Sequence, residues 1–227
     1  MDRIDVLLIS PLGWSEHIWD KIKPEFREKK IEYLTFLDDS FSEIKQAKIE
    51  ATLDEKFSRM HEESIIIAAS FGTVVILQFL ATHHVLCNRL ILIDGFAALP
   101  TITELSYLQN HPQPTNFSSK AAYYEYMLST DEQNDEQLLT ILSYNLLPNN
   151  QGYRTVLSNE KMLSYLASYS GVSTKSNLEN SYAKIKKTTI FSSEPLPVDY
   201  QAISLSDHLL MLTKPEKLRT ILAQNEK

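Results

Sequence analysis

The chain has 227 residues and a formal net charge of −7 at pH 7, with 43% hydrophobic and 22% charged residues. This length and composition are typical of one large globular domain, or of one domain with an insertion. The acidic balance argues against nucleic acid or an anionic membrane surface as the main partner. The single cysteine, Cys87, excludes an intramolecular disulfide and any cysteine-based metal cluster.

The start of the chain has too short an apolar core for a secretory signal peptide, and it has no small-residue cleavage site. No apolar run reaches the length of a membrane span. We therefore expect a cytoplasmic protein. The sequence leaves its oligomeric state open between a monomer and a homodimer.

The first part of the chain alternates between apolar strands and helices. The predicted strands are residues 4–10, 31–37, 64–69 and 89–94, and the predicted helices are residues 15–29, most of 41–60, and a helix that starts at Phe71. Continuous apolar runs are typical of strands that are buried on both faces. Their alternation with helices predicts an α/β fold with a mostly parallel sheet between two helical layers.

The middle segment, residues 97–187, is rich in tyrosine and has no strong strand pattern. Its predicted helices are residues 118–128, 131–147, 158–169 and 178–187. We interpret the middle segment as a helical lid inserted between a first core part, residues 1–96, and a last core part, residues 188–227. The last core part contains two predicted strands, residues 188–192 and 201–205, and a closing helix, residues 214–224.

Ser70 lies at the corner between the strand 64–69 and the helix that starts at Phe71. With Ala68 before it and Gly72 after it, the pattern A-x-S-x-G replaces the commoner G-x-S-x-G of a nucleophile elbow. Such a turn raises the serine hydroxyl above the sheet, and small neighbours let the strand and the helix pass closely. The alternative is an ordinary N-cap serine. The flanking strand and helix favour the nucleophile.

His208 lies just after the last predicted strand and before the last helix. A nucleophilic serine needs a base with a pKa near neutrality, and a loop after the final strand reaches the carboxyl edge of the sheet where Ser70 lies. A lone histidine is more often a surface or packing residue, but this placement favours the base.

Two carboxylates compete for the acid that orients the imidazole. Asp94 ends the strand after the elbow helix, and Glu194 follows the next strand, which is the commoner place. Only a short segment separates Glu194 from His208, so we favour Asp94 and keep Glu194 as the alternative.

The loop after the first strand is expected to supply one donor of an oxyanion hole. Pro11 has no N–H, so the predicted donor is the Leu12 amide, and Gly13 leaves room for the backbone to approach. The first amide of the elbow helix, that of Phe71, is the second predicted donor.

These motifs together resemble the α/β-hydrolase family. The elbow AASFG, the strand end IDGF and the segment DHLLML carry the resemblance, which runs from about Ile4 to Ala223 apart from the middle segment. Members of this family usually have His-Gly in the oxyanion loop, whereas this chain has Ser10-Pro11.

Two branches of the family are similar to this chain. The first is the thioesterases of nonribosomal peptide, polyketide and fatty-acid assembly lines, and here LILIDGF resembles the strand that carries the acid, which implies Asp94. The second is the carboxylesterases typified by the pimeloyl carrier-protein methyl ester esterase, whose oxyanion loop is similar to LLISPLGWSEHIW. Both branches act on acyl groups that a carrier protein can hold.

The sequence therefore predicts a serine hydrolase with Ser70 as nucleophile, His208 as base and Asp94 as acid. A thioesterase that releases an acyl chain from a carrier protein or CoA is the first hypothesis, and a methyl-ester carboxylesterase is the second. A binding protein that keeps the hydrolase fold without catalysis is the third. No metal or organic cofactor is implied.

Overall fold

A computed structural model describes residues 2–84, 87–97, 99–130, 132–173, 176–179, 185, 187–193, 195–196, 202–204 and 209–223. The strands are β1 (Ile4–Leu12), β2 (Ile31–Phe36), β3 (Met60–Ala69), β4 (Arg89–Ile93), β5 (Asn116–Phe117), β6 (Leu146–Asn149), β7 (Gly152–Thr155), β8 (Lys187–Ser192) and β9 (Ala202–Ser204). The α-helices are α1 (Gln46–Phe57), α2 (Phe71–Thr82), α3 (Ile102–Asn110), α4 (Lys120–Met127), α5 (Glu136–Ser143), α6 (Asn159–Ser168), α7 (Leu210–Thr213) and α8 (Pro215–Ala223).

The main sheet has the strand order β2-β1-β3-β4-β8-β9, and every neighbouring pair is parallel. The predicted parallel sheet is confirmed. Successive residues of a strand point to opposite faces, so each central strand contributes to two separate apolar clusters. Within β1, for example, Leu7 packs on one face, whereas Val6 and Leu8 pack on the other.

Helices cover both faces of the main sheet. One apolar cluster contains residues of α1, α2 and α6, and the other contains residues of α5, α7 and α8. Helix α2 is apolar all round and almost entirely buried, as expected for a helix enclosed by protein. Among the described residues, no helix is both long and apolar enough to cross a membrane.

The prediction of one regular α-helix at residues 15–29 is wrong. Two 3₁₀ helices, Glu16–Trp19 and Lys23–Phe26, replace it. Pro24 explains the break, because in the interior of an α-helix its ring meets the carbonyl four residues earlier and it donates no hydrogen bond. The apolar residues predicted for this stretch are nevertheless buried: Ile18, Trp19, Ile22 and Phe26.

The middle segment contains helices, as predicted, and also a small sheet that the sequence analysis did not predict. Its strands β5, β7 and β6 pair antiparallel, and the described residues between β4 and β8 add no strand to the main sheet. The predicted helix 131–147 is therefore too long, since α5 ends at Ser143 and β6 follows. The Asn-Asn-Gln-Gly turn after Pro148 is typical of a hairpin. Helix α3 was also missed, and most of the predicted helix 178–187 lies outside the described residues.

Polar contacts attach the middle segment to loops of the core. Lys21 Nζ donates to Asp135 Oδ2 at 2.7 Å. Asp38 Oδ1 accepts hydrogen bonds from the backbone N–H of Ser158 at 2.9 Å and from its hydroxyl at 3.0 Å. Tyr165 donates from its hydroxyl to the carbonyl of Leu37 at 2.8 Å, and its ring is fully buried. These contacts hold α5 and α6 against the loops that follow β1 and β2.

Candidate active site

Ser70 has φ 53° and ψ −120° and lies between the end of β3 and the first residue of α2. A positive φ is strained for a residue with a Cβ. The Ser70 N–H donates to the carbonyl of Ile93 at 2.8 Å, which ties the corner to β4. The strand, the sharp turn and the helix therefore have the geometry that the A-x-S-x-G pattern predicted.

The small residue two positions after Ser70 is required by close packing. A Cβ on Gly72 would lie 2.7 Å from the carbonyl oxygen of Ile9 and 2.9 Å from that of Ser10. The first turn of α2 therefore lies directly against the end of β1. This contact brings the carboxyl end of β1, which includes Leu12, next to the elbow, as the predicted oxyanion hole requires.

Asp94 lies beside Ser70 because β3 and β4 pair in register. Ala69 is opposite Ile93, so Ser70 and Asp94 are the next residues on adjacent parallel strands. Asp94 is only 5% exposed and has φ 56°. The next residue, Gly95, has φ 89°, and a Cβ there would collide with the carbonyl oxygen of Ser70. The loop after β4 is thus packed on the elbow.

The Asp94 carboxylate is held by Ser193, which is not among the predicted site residues. The Ser193 hydroxyl lies 2.8 Å from Oδ1 and 2.9 Å from Oδ2 of Asp94. The Asp94 N–H donates to the carbonyl of Phe191 at 2.7 Å. The signal for Ser193 is tertiary, because it depends on β8 pairing beside β4.

The predicted oxyanion donor Leu12 is the last residue of β1 and does not lie in a loop after it, and the backbone at this end of the strand is irregular. The register of β1 against β2 shifts between Ile9 and Leu12, and the N–H of Gly13, which has φ 79°, donates to the carbonyl of Phe36 at 3.1 Å. Ser10 is buried, and its hydroxyl accepts a hydrogen bond of 3.0 Å from Trp19 Nε1. Trp19 is therefore a core residue that fixes this end of β1.

An apolar cavity of about 280 Å³ connects these elements. Its lining includes the four described residues of the predicted site, and α2, α6 and the segment after β4 supply most of the apolar wall. The lining residues are Leu12, Ser70, Phe71, Val74, Asp94, Gly95, Ala97, Leu99, Leu166 and Ser193. The structure therefore brings the predicted nucleophile, the favoured acid and both predicted oxyanion donors together around one cavity.

No protein-family model matches this sequence, and no curated protein matches it. Solved structures match over nearly its whole length. An E-2-(acetamidomethylene)succinate hydrolase aligns with a TM-score of 0.70 and 13% identity, over 100% of this chain and 92% of that chain. The thioesterase domain from the curacin biosynthetic pathway aligns with a TM-score of 0.63 and 15% identity, over 97% and 91% of the two chains.

A carboxylesterase from the ammonia-oxidizing thaumarchaeon Nitrososphaera gargenis aligns with a TM-score of 0.64 and 16% identity, over 98% of this chain and 89% of that chain. The chain has the α/β-hydrolase fold. At these identities the likeness extends to the fold and not to a substrate.

Two predicted site residues, His208 and Glu194, lie outside the described residues. The described residues that flank His208 most closely in the sequence are Ser204, which ends β9, and Leu209, which precedes α7. The role of His208 as the base, and the choice of Asp94 over Glu194 as the acid, therefore stay predictions.

Proposed function

We propose that this protein is a serine hydrolase that cleaves an acyl ester or an acyl thioester. One observation carries the proposal: Ser70, in a strained turn at the carboxyl edge of a parallel sheet, faces the same apolar cavity as the buried carboxylate of Asp94. Residues with strained backbone conformations concentrate at functional sites.

In the proposed reaction, the Ser70 hydroxyl attacks the substrate carbonyl while His208 accepts its proton. The negative charge on the tetrahedral oxygen is stabilised by the amides of Leu12 and Phe71, and Asp94 stabilises the imidazolium. His208 then gives the proton to the leaving alcohol or thiol, and the acyl group stays on Ser70. Water, activated by His208, hydrolyses this acyl-enzyme and restores the free serine.

We propose an acyl thioester as the first candidate substrate, which makes the protein a thioesterase. The apolar wall of the cavity suits an acyl chain, and the likeness to the curacin thioesterase domain is compatible with a chain delivered on a carrier protein or CoA. A carboxylesterase acting on a methyl ester is the second candidate, supported by the motif after β1 and by the likeness to the Nitrososphaera carboxylesterase.

A serine-directed fluorophosphonate probe tests whether the protein is an enzyme. We expect the purified chain to be labelled, Ser70→Ala to lose the label, and the exposed control Ser58→Ala to keep it. Turnover of Ser70→Ala is expected to fall by at least about 10³-fold. Well-folded protein that takes up no label would overturn the proposal and favour a binding protein with the hydrolase fold.

Kinetics on matched substrates separate the remaining alternatives. When thioesters and methyl esters of the same acids are assayed side by side, we expect the enzyme to hydrolyse the thioester faster. Faster hydrolysis of the methyl ester would make the carboxylesterase the first hypothesis. Asp94→Asn is expected to lower kcat by about 10³- to 10⁴-fold. If Glu194→Gln alone has that effect, the acid is Glu194.

A further inference from the structure

Ser193 is the described residue whose side chain holds the carboxylate of Asp94. Its hydroxyl oxygen lies within hydrogen-bond distance of both carboxylate oxygens, at 2.8 Å and 2.9 Å, although 99 residues separate the two in the chain. Ser193 also lines the cavity that contains Ser70. It is exposed, so its conformation is not imposed by core packing.

A hydroxyl placed between two carboxylate oxygens restricts the rotation of the carboxyl group. The Asp94 N–H donates to the carbonyl of Phe191 at 2.7 Å, which fixes the backbone of Asp94. The backbone N–H of Ser193 also lies 3.5 Å from Oδ1 of Asp94. The backbone contacts place the Cα, and the Ser193 hydroxyl sets the plane of the carboxylate. The donated hydrogen bond also stabilises the charged form of the carboxylate.

We infer that Ser193 is a positioning residue, which orients the Asp94 carboxylate so that Asp94 can hold the catalytic imidazole. The inference rests on the proposed function, because it has meaning only if Asp94 acts in a serine hydrolase. It adds a residue to the site that lies outside the predicted nucleophile, base, acid and oxyanion donors. In this role Ser193 acts through Asp94.

The test compares kcat and KM for three variants of the full chain with the wild type. In Ser193→Ala we expect kcat to fall about tenfold with KM unchanged, since a hydrogen bond to a charged group is lost at a group that acts during the chemical step. Ser193→Thr keeps a hydroxyl at the same position and is expected to restore most of kcat. Ser204→Ala, at the exposed end of β9, is the control and is expected to keep the wild-type kcat.

A double-mutant cycle with Asp94→Asn distinguishes positioning from a general structural effect. If Ser193 acts through Asp94, adding Ser193→Ala to Asp94→Asn causes little further loss of kcat. An equal tenfold loss in both backgrounds, or a Ser193→Ala enzyme with wild-type kcat, would overturn the inference while leaving the hydrolase proposal intact. A wild-type chain with no turnover that depends on Ser70 would overturn both.

Discussion

The amino and carboxyl edges of the main sheet both carry polar residues, but these residues differ in backbone conformation and in what their side chains contact. At the carboxyl edge, Ser70 and Asp94 have positive φ angles, and they are the non-glycine residues that do so in the described part of the chain. Their side chains face an apolar cavity. Near the starts of β1, β2 and β3, no described non-glycine residue has a positive φ, and the pocket at the starts of β1 and β3 is lined mainly by polar and charged residues such as Arg3, Arg59 and His61.

Charged groups at the amino edge pair with one another. His61 lies 3.0 Å from Asp5, and Glu32 accepts from Arg59 at 2.6 Å and from Lys56 at 3.0 Å. Burial opposes ionisation of Glu32, but hydrogen bonds from Lys56 and Arg59 outweigh it and lower the pKa of this carboxyl. These pairs therefore favour the folded state at neutral pH.

The difference indicates which edge is organised for chemistry. Strain at Ser70 and Asp94 lowers stability and persists only because packing at this edge enforces it. Paired charges on a relaxed backbone, as at the amino edge, contribute to stability and need no reacting partner. We expect mutations at the carboxyl edge to trade activity against stability, and mutations at the amino edge to change stability alone.

The largest effect on stability is expected for Gly95→Ala. The new Cβ collides with the carbonyl of Ser70 at a residue with φ 89°, so the elbow must move, and we expect a loss of about 3 kcal/mol or more in the free energy of unfolding. Gly171→Ala is a matched control, since Gly171 has φ 83° with no atom within 4 Å of the added Cβ. Its expected cost is about 1 kcal/mol, from backbone strain alone. Urea denaturation measures both, and equal costs would show that the contact with the elbow is unimportant.

A smaller effect of opposite sign is expected when Ser70 is replaced by glycine. Ser70→Gly and Ser70→Ala both remove the hydroxyl, but only glycine relieves the strain at φ 53°. We expect Ser70→Gly to be about 1 kcal/mol more stable than Ser70→Ala, with both inactive. At Ser58, the C-cap residue that follows α1 and has φ −61°, the order of glycine and alanine is expected to reverse. A Ser70→Gly chain less stable than Ser70→Ala would contradict the strain.

The smallest effect is expected at the amino edge, from Glu32→Gln. At neutral pH this variant is expected to lose about 0.5–1 kcal/mol of the free energy of unfolding and to keep full activity. Because the pKa of Glu32 is lowered from its ordinary value of 4.5, its contribution is present above that value and is lost as the pH falls through the lower pKa of the folded state.

Denaturation at neutral pH and at about pH 3 measures this difference between Glu32→Gln and wild type. Glu62→Gln, at an exposed position of β3, is the control and is expected to show no such dependence on pH. A difference for Glu32→Gln that is the same at both pH values would contradict the ionic origin of the stabilisation.

Local patterns were sufficient for most of the core. The apolar runs of β1, β3 and β4 and the uniformly apolar α2 predicted buried elements, and all four form. The bounds of β4 are close to the prediction, whereas β1 extends to Leu12 and β3 already begins at Met60. Prediction failed where a pattern has two solutions. The apolar spacing at residues 15–29 suits a helix, but Pro24 splits it into two 3₁₀ turns. In the middle segment, short strands such as β6 carry too few residues for a period of two to be seen.

The sequence by itself determined the corner at Ser70, because a buried strand, a serine between small residues and an apolar helix follow one another within one short stretch of chain. It also marked Asp94 as a carboxylate at a strand end. Only the tertiary structure decided which strand ends lie side by side. Three contacts join segments that are far apart in the chain: Ser193 with Asp94, Gly95 with the carbonyl of Ser70, where only glycine fits, and the α6 residue that lines the cavity. Their placement depends on strand order and on packing at the carboxyl edge of the sheet.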